Sequence, residues 1–276
     1  MPPARYLCHM QATHRSIIKM LGQQPNTVQD ILAVEEPLQI QLQANYSIKN
    51  IAVTMRTPGN DDELAAGFLF TEGVIKNNGQ IAEIKQAGGN NSIVTMKEGE
   101  TPLLRNTERN FYATSSCGVC GKASIDSVKT AIPFANEVHF TINASILYSL
   151  QGSLQSRQQI FETTGGLHAA ALFDGNGEFI LLREDVGRHN ALDKLIGHFF
   201  LQGKLPLSNK VLLLSGRASF ELIQKAAMAG IKIVAAIGAP SSLAVQLAEE
   251  NNIALIGFLR HDKFNIYCNS QRIITE

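Results

Sequence analysis

Lys210-Val-Leu-Leu-Leu214, Lys232-Ile-Val-Ala-Ala-Ile237 and Ala254-Leu-Ile-Gly-Phe258 are three short, almost wholly apolar runs, and the stretch that holds them decides the fold. Each has the length of a strand and lacks polar alternation, the pattern of strands buried on both faces. Residues 220–229 and 242–251, which separate them, have helical spacing. A β-α-β-α-β run of this kind predicts parallel strands joined by right-handed crossovers. Ligands of such sheets bind beyond the carboxyl ends of the strands. Three segments leave those ends: Ser215-Gly216-Arg217, Gly238-Ala239-Pro240-Ser241-Ser242, and Phe258-Leu259-Arg260-His261-Asp262-Lys263. The first two lead into helix N-termini, where free N–H groups and the helix dipole favour anions. With Arg217, Arg260 and Lys263 nearby, the three together point to a phosphate-bearing ligand, although each alone reads as an ordinary loop.

Upstream, residues 168–173 and 178–182 flank Asp174-Gly-Asn-Gly177, a strong hairpin turn. The segment Arg183-Glu-Asp-Val-Gly-Arg-His-Asn190 is dense in functional groups. Arg183 and Arg188 are candidate oxyanion ligands, and His189 is a candidate proton carrier near neutral pH. The competing reading is a solvated loop with Asn190 capping a helix over 190–200. His168, after Gly165-Gly166-Leu167, is the kind of lone histidine that is more often structural than catalytic. Further upstream, residues 38–42 alternate like a half-buried strand, 48–55 read as a second strand, and Thr57-Pro58-Gly59-Asn60 breaks it. Asp61 and Asp62 are candidate caps of a helix over 63–71 that Gly73 closes. A weak strand follows at 92–96, and Asn143 is a candidate cap for a helix through 151. The expected organisation is a flexible N-terminal arm at 1–29, a small α+β domain at 30–110 and a larger α/β domain at 111–276.

Lys plus Arg and Asp plus Glu number 24 each, so the formal charge is zero and nothing in it demands a nucleic-acid partner. No apolar run approaches the roughly 18–20 residues that span a bilayer, and the first 25 residues lack the apolar core of a secretory signal. The chain therefore reads as cytoplasmic, without a membrane or nucleic-acid partner. Its four cysteines, Cys8, Cys117, Cys120 and Cys268, make no disulfide scaffold. Cys117-Gly-Val-Cys120 lies among small residues, with Ser115 and Ser116 before it and Lys122 after it. Two sulfurs at this spacing can share a disulfide, a metal ion or a transferred sulfur atom, and the reactive form is the thiolate. Structural zinc would need two further ligands, and there is no second cysteine pair, so no metal site is expected.

Thr114-Ser-Ser-Cys-Gly-Val-Cys-Gly121 resembles the signature of the FdhD family, the formate dehydrogenase accessory sulfurtransferases. Thr57-Pro-Gly59, Gly67-Phe-Leu-Phe-Thr-Glu-Gly73, Thr164-Gly-Gly-Leu-His-Ala-Ala170, Arg183-Glu-Asp-Val-Gly-Arg-His-Asn-Ala-Leu-Asp-Lys194 and Leu214-Ser-Gly-Arg-Ala-Ser219 fit it in the same order, over residues 30–270. The resemblance implies a sulfur carrier that accepts sulfur from a cysteine desulfurase. It would pass that sulfur to the molybdenum cofactor, a bis(molybdopterin guanine dinucleotide), before insertion into formate dehydrogenase. It also implies a homodimer and a cytidine-deaminase-like larger domain. Cys117 would carry the persulfide, with Cys120 assisting release or tuning it. Phe258, Leu259, Arg260, His261, Asp262 and Lys263 would bind the cofactor; the chain has His261-Asp262-Lys263 where relatives often show glycine and arginine.

Three rivals remain on sequence. A zinc deaminase needs His-x-Glu ahead of its cysteines, whereas His168-Ala-Ala170 lacks the acid and follows them. A thioredoxin-type oxidoreductase places C-x-x-C near the start of its fold, whereas here more than a hundred residues precede it. A chaperone that holds the cofactor without transferring sulfur would use neighbouring groups, and sequence does not separate it from a carrier.

Overall fold

The computed structural model describes residues 11–45, 47–104, 111–112, 131–134 and 139–275. In chain order its elements are β1 (Ala12–Leu21), β2 (Gln24–Ala33), β3 (Glu36–Ala44), β4 (Ser47–Arg56), α1 (Asp61–Thr71), β5 (Ile81–Gln86), β6 (Asn91–Met96), β7 (Phe111–Tyr112), β8 (Ile142–Asn143), α2 (Ala144–Gln155) and α3 (Gln159–Thr164). There follow β9 (His168–Phe173), β10 (Phe179–Asp185), α4 (Arg188–Leu201), β11 (Val211–Leu214), α5 (Phe220–Met228), β12 (Ile233–Ala236), α6 (Ser242–Glu250), β13 (Ala254–Gly257), β14 (Asn265–Cys268) and β15 (Ile273–Ile274). The class is mixed α/β. Among the described residues the larger sheets run β10-β9-β11-β12-β13-β14 and β5-β6-β3-β4-β7, and β1-β2 and β15-β8 form two-stranded pairs.

The expected central run is present: β11, β12 and β13 are parallel neighbours, with α5 and α6 as crossovers. Because a strand's side chains alternate between faces, each of these strands divides its apolar residues between two cores. Leu212, Leu214, Val234, Ala236 and Leu255 join the cluster that holds α4, α5 and α6. Val211, Leu213, Ile233, Ala235 and Ile256 join the opposite cluster, under Leu147, Leu150 and Leu154 of α2. Both helix crossovers lie on the same side, as successive right-handed connections in one direction require. The first cluster also takes in Leu38 and Ile40 of β3 and Leu64, Leu69 and Phe70 of α1, so one apolar core runs between the two larger sheets.

The helices α1 and α4 join these layers at a glycine crossing. A Cβ on Gly67 would lie 2.0 Å from the carbonyl oxygen of Asp193, and one on Gly197 would lie 1.8 Å from that of Glu63. Only hydrogen fits at either position.

Three expectations change. Residues 12–29, expected within a flexible arm, belong to a ten-pair antiparallel hairpin, with Ala12 opposite Ala33 and Leu21 opposite Gln24. Polar and apolar residues mix on both of its faces, with Ile18, Met20 and Leu21 exposed, so no alternation announced it. Asn190, expected as a cap, lies inside α4; Gly187 is the N-cap and the helix begins at Arg188. At α1, the cap is Asn60 in a left-handed conformation (φ 56°), and Asp61 and Asp62 form the first turn. Asn143 does cap α2, accepting the N–H of Ser145.

Candidate functional site

The sheet topology gathers the sequence motifs on one edge. The parallel strands β11, β12 and β13 end there. Since β9 runs antiparallel to β11, its first residue His168 lies at the same edge. Since β10 is antiparallel to β9, Asp185 pairs with His168 there as well. The turn into α4, His168, and the loops 215–219, 238–242 and 258–263 are therefore neighbours.

These loops are tied backbone to backbone. The amide of Ser215 donates to Ala169 O (3.0 Å), that of Gly238 to Gly216 O (2.9 Å), that of Ser241 to Ala218 O (3.0 Å) and that of Phe258 to Gly238 O (3.1 Å). The Ser215 hydroxyl accepts the Ala169 amide at 2.8 Å. Gly238 permits this closeness: a Cβ there would stand 3.0 Å from the backbone of Gly216 and Arg217. The result is a rigid floor of main chain at the strand ends, with Arg217 exposed upon it.

Two histidines face this floor. His168 is half-buried with its ring over Gly216, whose Cβ would lie 3.3 Å from Nδ1. Burial, then the neighbouring Arg188, hold its pKa below the ordinary value, against a smaller opposite pull from Asp185. A neutral imidazole near pH 7 is able to accept a proton. His189 lies in the first turn of α4, with Nε2 3.5 Å from the Ser219 hydroxyl at the start of α5 and 4.0 Å from the Glu221 carboxylate.

Much of the charged 183–194 motif is structural. Arg183, a candidate oxyanion ligand, is instead engaged by Glu63 of α1 through two bonds, Nε to Oε2 at 2.5 Å and Nη2 to Oε1 at 2.8 Å. Burial pushes the Glu63 carboxyl up, but Arg183 and His198 outweigh it and hold it below the usual range. Asp185 and Lys194 are both buried and pair at 2.7 Å. Asp193 is buried with Lys225, 2.9 Å away, and accepts the Thr71 hydroxyl at 2.8 Å. Burial disfavours the Lys225 ammonium, yet Asp193 and Glu72 together raise its pKa and keep it charged. Of this motif, Arg188 and His189 are the residues left for the strand edge.

The 258–263 segment also divides. Phe258 is exposed in a left-handed conformation (φ 53°). Leu259, expected among the cofactor-binding residues, is fully buried in the core under the sheet, so its side chain serves packing. The Arg260 guanidinium donates to Ile237 O (2.8 Å) and Leu259 O (2.7 Å), bracing the loop. His261, Asp262 and Lys263 are exposed, and the 3.8 Å pair between His261 and Asp262 is a weak solvated contact. Cys117 and Cys120 lie outside the described residues. Sequence reasoning did not single out Glu63 or Lys225. A lysine and a first-turn glutamate on helices carry no signal for partners more than thirty positions away.

A model of the FdhD/NarQ family matches residues 33–274. A protein of Streptomyces coelicolor named sulfur carrier protein FdhD is 46% identical over 270 residues, covering 94% of both chains.

The chain belongs to the FdhD/NarQ family.

A Picrophilus torridus relative of the same name is 43% identical over 255 residues, covering 92% of this chain and 96% of that one. A crystal structure from Desulfotalea psychrophila, described as that of a formate dehydrogenase accessory protein, superposes with a TM-score of 0.74. It covers 96% of this chain and 100% of that one at 22% identity, and it shares the fold. The FdhD/NarQ match includes both cysteines of the Cys117–Cys120 pair and every strand-end loop, whereas all but the last residue of the β1–β2 hairpin precedes it. No helix among the described residues is long and apolar enough to cross a membrane.

Proposed function

We propose that this family member is a sulfur carrier for formate dehydrogenase, a sulfurtransferase working through a persulfide on Cys117. The observation that carries the reading is Cys117-Gly-Val-Cys120 inside a chain 40–46% identical to proteins named sulfur carrier protein FdhD. In the first step the Cys117 thiolate attacks the outer sulfur of a persulfide on a cysteine desulfurase. The donor S–S bond breaks, the donor leaves as a thiolate, and a new S–S bond forms on Cys117. Thiol–disulfide exchange supplies the rate logic, in which thiolate fraction and access govern. Cys120 assists release or tunes Cys117.

The acceptor is the molybdenum cofactor in its bis(molybdopterin guanine dinucleotide) form, handled as substrate before it enters formate dehydrogenase. The strand edge suits its phosphates. It offers main-chain N–H groups at the starts of α4, α5 and α6, the guanidiniums of Arg188 and Arg217, and the exposed Phe258, His261 and Lys263, with Arg260 bracing their loop. The strand order β10-β9-β11-β12-β13, with β9 antiparallel to both neighbours, supports a cytidine-deaminase-like larger domain. We place the protein in the cytoplasm as a homodimer.

The test is to incubate the protein with a cysteine desulfurase and cysteine and to measure intact mass. A gain of about 32 Da, one sulfur atom on the cysteine oxidation ladder, is expected and should vanish in Cys117→Ala. Full formate dehydrogenase activity in cells carrying Cys117→Ala would refute sulfur carriage and leave a cofactor-holding chaperone.

A further inference from the structure

Thr57 follows β4, in the sheet that does not carry the strand-edge site, and its side chain is fully buried. Three of its groups nevertheless reach the end of β10, the turn after it and α4. Its amide donates to Asp185 Oδ2 (3.2 Å), its hydroxyl accepts the amide of Val186 (3.2 Å), and its carbonyl accepts the Lys194 ammonium (2.8 Å). Neighbouring groups complete the joint. Asp185 Oδ1 accepts the Gly187 amide at 2.8 Å and the Asn190 side-chain amide at 3.1 Å. That same Asn190 nitrogen donates to Met55 O at 2.7 Å, and the Thr54 hydroxyl donates to Asn190 Oδ1 at 3.1 Å.

Within this joint the bonds differ in kind. Gly187 is held by Asp185, two residues away, which shapes the turn locally. Val186 is held by Thr57, 129 residues away, which fixes where the turn sits. The residues that follow are Arg188, three positions after the Asp185 that pairs with His168 and close enough for its charge to act on that imidazole, and His189, whose Nε2 is 3.5 Å from the Ser219 hydroxyl.

We propose that Thr57 is a positioning residue for the strand-edge site, its hydroxyl fixing the turn that carries Arg188 past the His168 end of β9 and sets His189 against Ser219. The structural claim stands on these contacts. Its consequence for sulfur delivery rests on the function proposed above.

His168 reports on the turn. The charged groups that set its titration are Arg188 and Asp185, both of the turn, and the Ser215–Arg217 loop faces it from β11. Withdrawing Arg188 removes a cation and must raise the His168 pKa. Thr57→Val keeps the shape and both backbone bonds but leaves the Val186 amide without its acceptor. Thr57→Ser restores the oxygen.

The experiment is an NMR pH titration of the imidazoles, with His168 assigned by comparison with His168→Gln, alongside persulfide loading by intact mass and activation of formate dehydrogenase. In Thr57→Val the His168 midpoint should move up towards 6.5, its ordinary value, while Thr57→Ser titrates like the wild type. Loading of Cys117 should persist in Thr57→Val, and activation should fall. If Thr57→Val does not fold, Thr57→Ala is judged by the same titration. An unmoved His168 midpoint in the folded variant overturns the proposal. A shifted midpoint with undiminished activation supports the positioning role and refutes the strand edge as the delivery site.

Discussion

Gly197→Ala tests the helix crossing that joins the two sheets, because two well-characterised effects oppose each other there. Alanine is the better helix former by about 1 kcal/mol, so intrinsic propensity makes the substitution stabilising. The crossing makes it destabilising. The new Cβ would lie 1.8 Å from Glu63 O, 2.7 Å from Glu63 C and 2.9 Å from Gly67 N, all main-chain atoms of α1. Real Cβ contacts essentially never fall below 3.0 Å, so α1 and α4 must part by more than an ångström. No flexible side-chain end can give way instead. A radial gap of 0.5–1 Å forfeits roughly a quarter to a half of each dispersion contact, and the affected surface includes Leu64, Leu195 and the Phe70–Phe200 stack at 4.8 Å. Overpacking a well-filled core costs about 1–3 kcal/mol, and a backbone obstacle puts this site at the upper end. After the propensity gain the net loss is about 2 kcal/mol. At roughly 2–4 °C per kcal/mol for large domains, the melting midpoint should fall by about 4–8 °C, with the urea midpoint falling at unchanged slope. Gly152→Ala is the control, since its Cβ would meet nothing within 4 Å and it lies within α2; it should be neutral or stabilising by up to about 1 kcal/mol. If Gly197→Ala matches Gly152→Ala, the backbone-contact crossing is wrong.

Lys225→Met leaves the Asp193 carboxylate buried without its cation, and equilibrium denaturation should show a loss of about 3–5 kcal/mol. Asp193→Asn/Lys225→Met removes both charges and should recover a substantial part of that loss. Two groups make stability rise with pH, Glu63 below 4.5 and His168 below 6.5, against the buried carboxyls of Glu184, Asp185 and Asp193, whose raised pKa values cost stability as pH climbs through the carboxylate range. The lowered Glu63 pKa gives a contribution fully present above 4.5 and lost as pH falls through the folded value. The lowered His168 pKa means that the unfolded chain takes up a proton first below 6.5, which also weakens the fold in acid. Urea midpoints from about pH 3 to 7 check each sign: Glu63→Gln should remove the loss below 4.5, and His168→Gln the loss that begins below 6.5. Arg217→Ala, exposed on the strand edge and with no part in the core, should leave the melting midpoint within about 2 °C, as surface changes do. It should weaken activation of formate dehydrogenase without changing the Cys117 mass gain.

The 210–258 region was legible because its signal is local. Strand-length apolar runs alternating with helix-length segments admit few arrangements, and the observed elements fall within a residue or two of those expected. The 183–194 motif was legible as important but not in its role. As sequence it is a row of charges, equally a solvated loop or an anion site. Its fate depends on Glu63, Thr57 and Thr71, each more than 100 positions away. The hairpin was illegible for a different reason: with polar and apolar residues mixed on both faces, its signal lies in cross-strand pairing and not in periodicity.

By itself, then, the sequence determined the parallel α/β core, the loops at its strand ends and the cysteine pair with the motifs that mark its family. Those properties follow from residue type and short-range spacing. Only the tertiary structure decided which charged residues hold the molecule together and which face the site. Burial desolvates a charge and forces it to find a partner, and the partner comes from wherever the chain has folded back. Arg183, Asp185, Asp193 and Lys194 were claimed in that way, leaving Arg188 and His189 at the strand edge.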